Sequence, residues 1–281
     1  MTIYQKRYNG SSFASSHTGK TMRFVHITDT HIGPTPDHRV LGQLPYPAVG
    51  ALVEQINSLP FEPDFVLHTG DVTDDASEAA YALARPLLEK IKAPVLYALG
   101  NHDRPEPMRQ ILLGKAPTSD RYDYQMNIQG IELAVFDTRG PVDPEGTLTA
   151  EQFTALRNLC QPSGPPLVIA LHHQPVPLDI AWLDHGWDGR RMMLDCSEAF
   201  LEAIAPARNR IRGVFFGHVH RSAQVFREGI LFCTPPSACA QIFAWPTQTE
   251  PVPSPAELPG FNVVTITDDQ TIIRQHTIPR G

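Results

Sequence analysis

The sequence predicts an α/β fold with a mixed sheet, and three observations support this prediction. Short apolar runs of strand length recur from Arg23 onward: RFVHIT, DFVLHTG, VLYALG, IELAVFD, LVIALHH and RGVFFGH. Two longer segments between them, ASEAAYALARPLLEKI and LTAEQFTALRNLC, read as helices and give the chain a βα alternation. Near the end, FNVVTIT and TIIRQHTI flank the polar turn from Asp268 to Gln270, which predicts an antiparallel hairpin.

The chain is predicted to form a single domain over residues 22–281, preceded by a polar extension over residues 1–21. The extension ends in GSSFASSHTGKT, which is rich in Ser, Gly and Thr and lacks hydrophobic periodicity. Two Pro-rich, Trp-containing stretches, near residues 174–194 and 245–259, interrupt the pattern of strands and helices. We interpret both as lid-like loops, because long irregular segments in compact domains often carry function.

Composition limits the classes of function. The 281 residues carry a net charge of -7, and their scattered Lys and Arg residues form no basic patch for a nucleic-acid polymer. No apolar run reaches the ~18 residues of a membrane helix, and residues 1–20 lack the apolar core of a secretory signal. We therefore predict a cytoplasmic protein without a membrane partner. The four cysteines form no CxxC pair and are predicted to be buried thiols.

Short polar clusters follow five of the strand-like runs. They are DTH at residues 29–31, GD at 70–71, GNHD at 100–103, HH at 172–173 and GHVH at 217–220. In open α/β sheets the loops at the carboxyl ends of strands converge on one crevice. Individually, Asp71 or Asn101 after a glycine is a common turn residue, but five such clusters together favour a shared site. Asp, Asn and His without Cys form an oxygen and nitrogen donor set suited to Zn, Mn or Fe.

The pair His218 and His220 leaves several interpretations open. The run GVFF before it predicts a buried strand, and the glycine that follows marks a turn. With one residue between them, both imidazoles can face the same side of an extended backbone. Spacing alone allows one shared metal, two different metals or a packed turn without metal.

The ordered set D-x-H, GD, GNHD, HH and GHxH resembles the calcineurin-like metallophosphoesterase superfamily, from about Arg23 to the C-terminus. Within that superfamily, Arg104 after GNHD, the segment GTLTAEQFTAL and the segment TPPSAC resemble the bacterial class III cyclic-nucleotide phosphodiesterases and the related glycerophosphodiesterases. The resemblance implies a four-layer α/β/β/α sandwich with mixed sheets. One departure is Gln174, where relatives often carry Pro after the paired histidines, and it concerns the shape of the loop rather than the metal ligands.

The resemblance also implies a dinuclear centre of two divalent or trivalent metal ions, which are Mn, Fe or Zn. Asp71 is the ligand implied to bridge both ions, because a carboxylate has one oxygen for each. The six other implied ligands are Asp29, His31 and His220 for metal one, and Asn101, His172 and His218 for metal two. Metal one then has an additional carboxylate where metal two has a neutral amide, so metal two is expected to bind more weakly.

Four residues beside these ligands have roles that the sequence leaves open or only suggests. In the family, the position of His102 stabilises the phosphoryl group or protonates the leaving alkoxide, and we predict a general acid. Asp103 either orients His102 or caps a turn. Arg104 contacts substrate phosphate or pairs with Glu106. His173, directly after a ligand, either supports the ligands or contacts substrate.

Other histidines and the loop tryptophans are secondary candidates. His26 and His68, inside strand-like runs, are predicted to pack behind the ligands, and His38 is interpreted as incidental. The aromatic residues of the two loops either pack on the core or offer a face to a substrate purine. They are Trp182, Trp187 and Trp245.

These features predict a dinuclear metal-dependent phosphodiesterase that attacks small phosphodiesters with a metal-bridging hydroxide. The leading substrates are 3′,5′-cyclic nucleotides, above all cAMP, and a formal charge of roughly +1 at the centre attracts their phosphate. Within the enzyme class, the alternative is a glycerophosphodiesterase or a broad phosphodiesterase and phosphomonoesterase. Outside it, the alternative is a metal-binding scaffold, which predicts eroded ligands, whereas all seven are present. A small phosphodiester is the expected partner, and a homo-oligomer is compatible with the sequence.

Overall fold

The computed structural model describes residues 21–116 and 121–279. Its strands are β1 (Met22–Ile27), β2 (Phe65–His68), β3 (Val95–Tyr97), β4 (Tyr124–Ile128), β5 (Ile131–Val135), β6 (Leu167–Ala170), β7 (Ile211–Phe215), β8 (Ala223–Arg227), β9 (Ile230–Thr234), β10 (Gly260–Ile266) and β11 (Thr271–Thr277). Its helices are α1 (Pro45–Asn57), α2 (Glu78–Leu88), the single turn α3 (Pro105–Pro107), α4 (Ala150–Leu159), α5 (Ala181–Asp184) and α6 (Ser197–Ile204). A π-helical turn (Met108–Leu112) follows α3, and a 3-10 turn (Ala205–Ala207) follows α6.

The strands form two mixed sheets. The first has the order β11-β10-β1-β2-β3, in which β1, β2 and β3 are parallel while β10 is antiparallel to both β1 and β11. The second has the order β4-β5-β6-β7-β9-β8, in which β5, β6, β7 and β9 are parallel and the edge strands β4 and β8 are antiparallel to their neighbours. The prediction of mixed sheets is confirmed.

Apolar side chains pack the two sheets face to face. Phe24 of β1 stacks on Phe65 of β2 with ring centroids 4.8 Å apart, and Phe215 of β7 meets Phe24 edge-on at 5.2 Å. Each such aromatic pair contributes about 0.5–1.5 kcal/mol beyond its buried area. Helices α1 and α2 pack on the outer face of the first sheet, while α4 and α6 pack on the outer face of the second. The result is the four-layer α/β/β/α sandwich that the family resemblance implies.

The two helices predicted from the sequence are confirmed, and their ends have clear causes. The Ser77 hydroxyl accepts a hydrogen bond from Ala80 N at the start of α2, and Thr149 and Gln152 form a reciprocal capping box at the start of α4. Helix α1 is not evident from the sequence pattern, because two prolines and a glycine occur in its first turns. Proline in a first turn loses no intrahelical hydrogen bond, so the helix forms nevertheless.

The C-terminal hairpin is also confirmed, since β10 pairs with β11 and Thr267 N donates to Gln270 O in the turn. Of the two predicted lid-like loops, the first contains the short helix α5, whose Trp182 is buried in the core of the second sheet. Trp182 therefore offers no face to a substrate, whereas Trp187 and Trp245 are 43% and 62% exposed. The polar extension over residues 1–21 lies outside the described residues except for its last position.

All four cysteines are free thiols, three of them buried and Cys196 half-buried, which agrees with the prediction. Among the described residues, no helix is both long enough and apolar enough to cross a membrane.

Candidate active site

The five polar clusters lie at the carboxyl ends of strands from both sheets. The loops after β1, β2 and β3 belong to the first sheet, and those after β6 and β7 belong to the second. Backbone hydrogen bonds join the loops within each sheet: Asp29 N donates to Gly70 O at 3.0 Å, and Gly217 N donates to His172 O at 3.0 Å. Asp29 also joins the two sheets, because its carboxylate accepts from His218 N at 3.1 Å. The strand ends therefore form one shared crevice.

Asp29, His31 and His220 form the first group of donors. His31 Nε2 and His220 Nε2 are 2.9 Å apart, and Asp29 Oδ1 lies 3.9 Å from the former and 3.7 Å from the latter. All three side chains are buried, and their donor atoms lie within 4.8 Å of one another. Two imidazole nitrogens and a carboxylate oxygen that converge in this way fit a single cation.

His172, His218 and Asn101 form the second group. Asn101 Oδ1 lies 3.1 Å from His172 Nε2 and 3.0 Å from His218 Nδ1. The Asn101 amide is fixed from behind, because its Nδ2 donates to Asp143 Oδ1 at 2.9 Å. His218 Nε2 is buried and has no hydrogen-bond partner among the described residues. The nitrogen that His218 presents to the second group is therefore Nδ1, which faces Asn101 Oδ1.

Asp71 lies between the two groups. Its Oδ2 is 3.5 Å from His31 Nε2 in the first group and 3.3 Å from His172 Nε2 in the second. Its Oδ1 accepts from His102 N at 2.9 Å, so a single oxygen faces both groups, rather than one oxygen for each ion as the family resemblance implies. A Cβ at Gly100 would lie 2.1 Å from Asp71 Oδ1, so only glycine at that position leaves room for the carboxylate. The donor set as a whole, with two carboxylates, one amide oxygen and four imidazoles, fits two borderline or hard metal ions.

The backbone at this edge is strained. Left-handed φ angles, which most side chains avoid, occur at five of the seven predicted ligands: Asp29, His31, Asp71, His218 and His220. Each such residue costs of order 1–3 kcal/mol, and strain of this kind concentrates at functional sites.

Burial and mutual proximity shift the pKa values of the site. Burial lowers the pKa of His220 to about 4 and raises that of Asp29 to about 6. Burial also acts to lower the pKa of His172, but the Asp71 carboxylate outweighs it and raises that pKa to about 9. Burial acts to raise the pKa of Asp71, and His172 reverses this effect and lowers it well below its ordinary value. With no ion bound, Asp71 and His172 therefore form a charged pair.

His102 lies at the side of this crevice with a partly exposed side chain. Its Nδ1 donates to the Asp74 backbone carbonyl at 2.6 Å, and its ring centroid is 4.8 Å from that of His31. Burial acts to lower the His102 pKa, but the Asp71 carboxylate and the Asp74 carbonyl outweigh it, so the pKa is raised. Because Nδ1 is held by the carbonyl, Nε2 is the nitrogen that can exchange a proton with a substrate.

The structure decides between the alternatives for Asp103. Its buried carboxylate accepts hydrogen bonds from Val72 N and Gly100 N, each at 3.1 Å, and from the Tyr81 hydroxyl at 2.9 Å. It thus ties together the loops after β2 and β3. Asp103 has the turn-capping role, and the Asp74 carbonyl, rather than Asp103, orients the ring of His102.

Arg104 and His173 both contact the loops of the site. Arg104 Nη1 donates to the carbonyls of Asn101 and Asp103 at 2.9 and 2.7 Å, which fixes the GNHD turn and replaces the alternative ion pair with Glu106. His173 is fully buried, and its ring nitrogens contact Thr138 Oγ1 at 2.8 Å and Pro144 O at 3.0 Å. Since both nitrogens are engaged and the ring lies 4.8 Å from that of His218, its position favours support of a ligand over substrate contact.

The sequence pattern missed two contacts to the predicted site residues. Asp74 Oδ1 accepts from His31 Nδ1 at 3.0 Å, and its Oδ2 accepts from His38 Nε2 at 2.7 Å, so His38 is not incidental. Burial acts to raise the pKa of Asp74, but hydrogen bonds from the two histidines outweigh it and lower the pKa to about 2. The one feature of the sequence that could have indicated a role for Asp74 is its position, three residues after Asp71 in the same strand-end loop. His26 and His68 are buried behind the site, as predicted.

Comparisons with known sequences identify relatives whose similarity covers most of the chain. A family model described as calcineurin-like phosphoesterase matches residues 22–222, which contain all five polar clusters. The chain is 31% identical over 235 residues to the cAMP/cGMP dual specificity phosphodiesterase of Mycobacterium tuberculosis, covering 80% of this chain and 70% of that protein. It is 27% identical over 225 residues to the 3′,5′-cyclic adenosine monophosphate phosphodiesterase CpdA of Pseudomonas aeruginosa, covering 80% and 79%.

The fold is also similar to solved structures. A dimetal phosphatase from Danio rerio superposes with a TM-score of 0.63 at 14% identity, covering 92% of this chain and 99% of that one. At this level of identity the likeness concerns the fold, and it matches the fold class that the sequence predicts.

Proposed function

The chain belongs to the calcineurin-like phosphoesterase family, and on this premise we propose that it is a dinuclear metal-dependent phosphodiesterase of 3′,5′-cyclic nucleotides, with cAMP as the leading substrate. The observation that carries the proposal is the position of Asp71, whose Oδ2 lies 3.5 Å from His31 Nε2 and 3.3 Å from His172 Nε2. One carboxylate between two groups of donors is the arrangement that two adjacent cations require. The names of the bacterial relatives support the choice of substrate.

We assign the metal ligands as the family resemblance implies, and the donor groups support this assignment. Asp71 would hold both ions. The remaining ligands are Asp29, His31 and His220 at metal one, and Asn101, His172 and His218 at metal two. Mn, Fe and Zn all suit a set of imidazole and oxygen donors, with Mn the ion we would use first.

Three of the proposed histidine ligands have their Nδ1 atoms fixed by hydrogen bonds on the side of the ring away from the crevice. His172 Nδ1 contacts the Thr69 carbonyl at 2.7 Å, His220 Nδ1 contacts the Ala240 carbonyl at 2.9 Å, and His31 Nδ1 contacts Asp74. Because each acceptor requires a proton on Nδ1, the lone pairs of the neutral His31 and His220 rings lie on Nε2 and face the crevice. His172, protonated beside Asp71, carries a second proton on Nε2 that an ion would displace. These residues therefore hold the ligand geometry before an ion arrives.

When bound, two ions supply charge neutralisation and an acidified water for hydrolysis. The residues of the chain orient the substrate and move the remaining proton. The Asp74 carbonyl holds His102 Nδ1, which leaves Nε2 for proton exchange, and we propose that Nε2 gives its proton to the leaving alkoxide. The raised pKa of His102 keeps the ring protonated at a higher pH than an ordinary histidine.

The preference for a diester follows from charge. A cyclic nucleotide carries one negative charge, whereas a monoester carries about 1.5 to 2 at neutral pH. The extra charge of the monoester competes more strongly with an anionic nucleophile for the same cations. The exposed rings of Trp187 and Trp245 are candidates to stack on a purine, which contributes roughly 1–3 kcal/mol per base.

A panel of substrates tests the proposal. We expect the protein with Mn²⁺ to hydrolyse cAMP, and to hydrolyse it faster than a nitrophenyl phosphate monoester. Trp187→Ala and Trp245→Ala should raise the KM for cAMP roughly tenfold, with less effect on a small nitrophenyl diester. Phe226→Ala is the matched control, because Phe226 is an exposed aromatic residue on the edge strand β8. Rapid cleavage of a glycerophosphodiester with no cleavage of cAMP would contradict the assignment of cAMP as the substrate. The assignment of the metal ligands would not be affected.

A further inference from the structure

We propose that Asp143 selects substrates by charge: its carboxylate disfavours phosphomonoesters, which carry nearly two negative charges, and leaves the site to phosphodiesters, which carry one. This inference rests on the proposed function and deepens it, since it names a residue that sets the preference for a diester. Asp143 lies in the loop after β5, within the segment PVDPEG at residues 141–146, and its side chain is exposed.

The Asp143 carboxylate borders the crevice at the second group of donors. Its Oδ1 accepts from Asn101 Nδ2 at 2.9 Å, and Asn101 Oδ1 is the proposed ligand of metal two. Burial acts to lower the pKa of His102 and the Asp71 carboxylate does most to raise it, but the charge of Asp143 also contributes. Asp143 therefore lies close to both a metal ligand and the general acid, so a phosphate held between metal two and His102 would experience its charge.

No neighbouring cation neutralises Asp143. Within residues 21–116 and 121–279 its carboxylate forms no ion pair, and the Asn101 amide that it contacts is neutral. The formal charge of roughly +1 at the metal centre therefore falls to roughly zero for a phosphate beside Asp143. A monoester, with about 1.5 to 2 negative charges, is repelled by this carboxylate more strongly than a diester with one.

Hydrogen bonds on both sides of Asp143 fix its backbone. Glu145 N donates to Val142 O at 2.8 Å, which closes the turn around Asp143. The Pro144 carbonyl contacts His173 Nε2 at 3.0 Å, so the turn is tied to the residue that follows a proposed metal ligand. The carboxylate of Asp143 is thus placed at the crevice by the fold of this loop.

Calorimetric titration of the Mn²⁺-loaded protein with inorganic phosphate tests the inference, because phosphate has the charge of a monoester and no nucleoside. Asp143→Asn keeps an oxygen acceptor for Asn101 and removes the negative charge. It should bind phosphate roughly threefold to tenfold more tightly than the wild type. This gain should shrink in about 1 M salt, where charges are screened beyond about 3 Å. Asp268→Asn is the matched control, because it removes the same charge from an exposed turn at the opposite end of β1.

Rates at saturating Mn²⁺ give a second readout. The ratio of kcat/KM for a nitrophenyl diester to kcat/KM for a nitrophenyl monoester should fall by roughly the same factor in Asp143→Asn. Asp143→Ala also removes the acceptor for Asn101. It should show the same fall in this ratio and, in addition, bind metal two more weakly than Asp143→Asn.

A role of Asp143 only in holding Asn101 predicts wild-type phosphate affinity and an unchanged ratio of rates in Asp143→Asn, and that result would overturn the proposal. A gain in phosphate affinity of the same size at low and high salt would also overturn it. Failure of the proposed function is seen separately in the wild type. Fewer than two bound ions would remove the metal centre and this inference with it. Two bound ions without hydrolysis of cAMP would overturn the choice of substrate, and the phosphate titration would still decide the role of Asp143.

Discussion

His31 Nε2 and His220 Nε2 lie 2.9 Å apart, although the two residues are 189 positions apart in the sequence. Burial lowers the pKa of both rings, to about 4 for His220, so both are neutral at physiological pH. Both Nδ1 atoms already donate to oxygen acceptors, His31 to Asp74 and His220 to the Ala240 carbonyl. Two lone pairs therefore face each other across a buried gap, which is unfavourable unless a cation lies between them.

This relationship predicts that metal binding stabilises the fold. We expect Mn²⁺ at about 100 times its dissociation constant to stabilise the chelator-treated protein by about 2.7 kcal/mol per site. Thermal unfolding with and without Mn²⁺ measures the effect as a rise in melting temperature. His220→Ala should lose part of this rise, and a wild-type melting temperature that does not respond to Mn²⁺ would contradict the expectation.

A second prediction concerns proton transfer by His102. His102→Ala should lower kcat by roughly 10²- to 10⁴-fold on a diester with a poor leaving group, the range for loss of a general acid. The loss should be smaller with a nitrophenolate leaving group, which needs little protonation. Steady-state rates on the two substrates give the comparison.

The pH profile of the same two proteins supplies the control. In the wild type, the rate with the poor leaving group should fall as pH rises through the His102 pKa, which lies above the ordinary value for histidine. This fall should be absent in His102→Ala. Loss of metal ions from the variant would make His102 a ligand, and equal loss on both substrates would indicate stabilisation of phosphate instead.

A third prediction uses the amide of Asn101. Asn101→Asp places a carboxylate 3.1 Å from His172 Nε2, where it should tighten metal two while lowering kcat, because the added charge weakens attraction for phosphate. In the wild type, Asn101 Nδ2 donates to Asp143. Asn101→Asp removes this donor and places the new carboxylate next to that of Asp143.

The double variant Asn101→Asp with Asp143→Asn restores that hydrogen bond and should bind metal two more tightly than Asn101→Asp alone. Calorimetric titration with Mn²⁺ measures both affinities. Weaker binding of metal two in both variants would show that charge does not govern this site.

A fourth prediction follows from the charged pair of Asp71 and His172. The pKa of His172 is about 9 before an ion binds, so the ring carries a proton at pH 7 that a metal ion must displace. A raised pKa means that this competition weakens as pH rises toward 9. The affinity for metal two should therefore increase up to about tenfold per pH unit between pH 7 and 8.5. Titrations with Mn²⁺ at three pH values in this interval would reveal it, and a constant affinity would exclude a protonated His172.

The sequence pattern predicted the fold and the convergence of the polar clusters on one site, because the relevant signals are local in the sequence. Apolar runs of strand length followed by Asp, Asn or His mark strand ends, and strand ends of βα units meet at one edge. The family resemblance added the second sheet, which the alternation of elements does not require. Helix α1 was hidden by the prolines of its first turn, which are neutral in a helix only at that place.

The residues behind the ligands could not be predicted, because loop geometry places them. His38 reaches Asp74 only through the path of the loop after β1, and Asp143 reaches Asn101 from the loop after β5. Neither loop has a periodic pattern from which such a contact can be inferred. Trp182 shows the opposite case: it occurs in a predicted lid-like loop, yet the short helix α5 turns it into the core.

The metal content of Asp71→Ala tests the central claim most directly, because a single oxygen of Asp71 lies within reach of both donor groups. Asp268→Ala is the matched control, since Asp268 is exposed in the turn between β10 and β11. After loading with Mn²⁺ and dialysis, elemental analysis should find about two ions per chain in the wild type and in Asp268→Ala, and far fewer in Asp71→Ala. Two ions retained by a folded Asp71→Ala would contradict a centre bridged by Asp71.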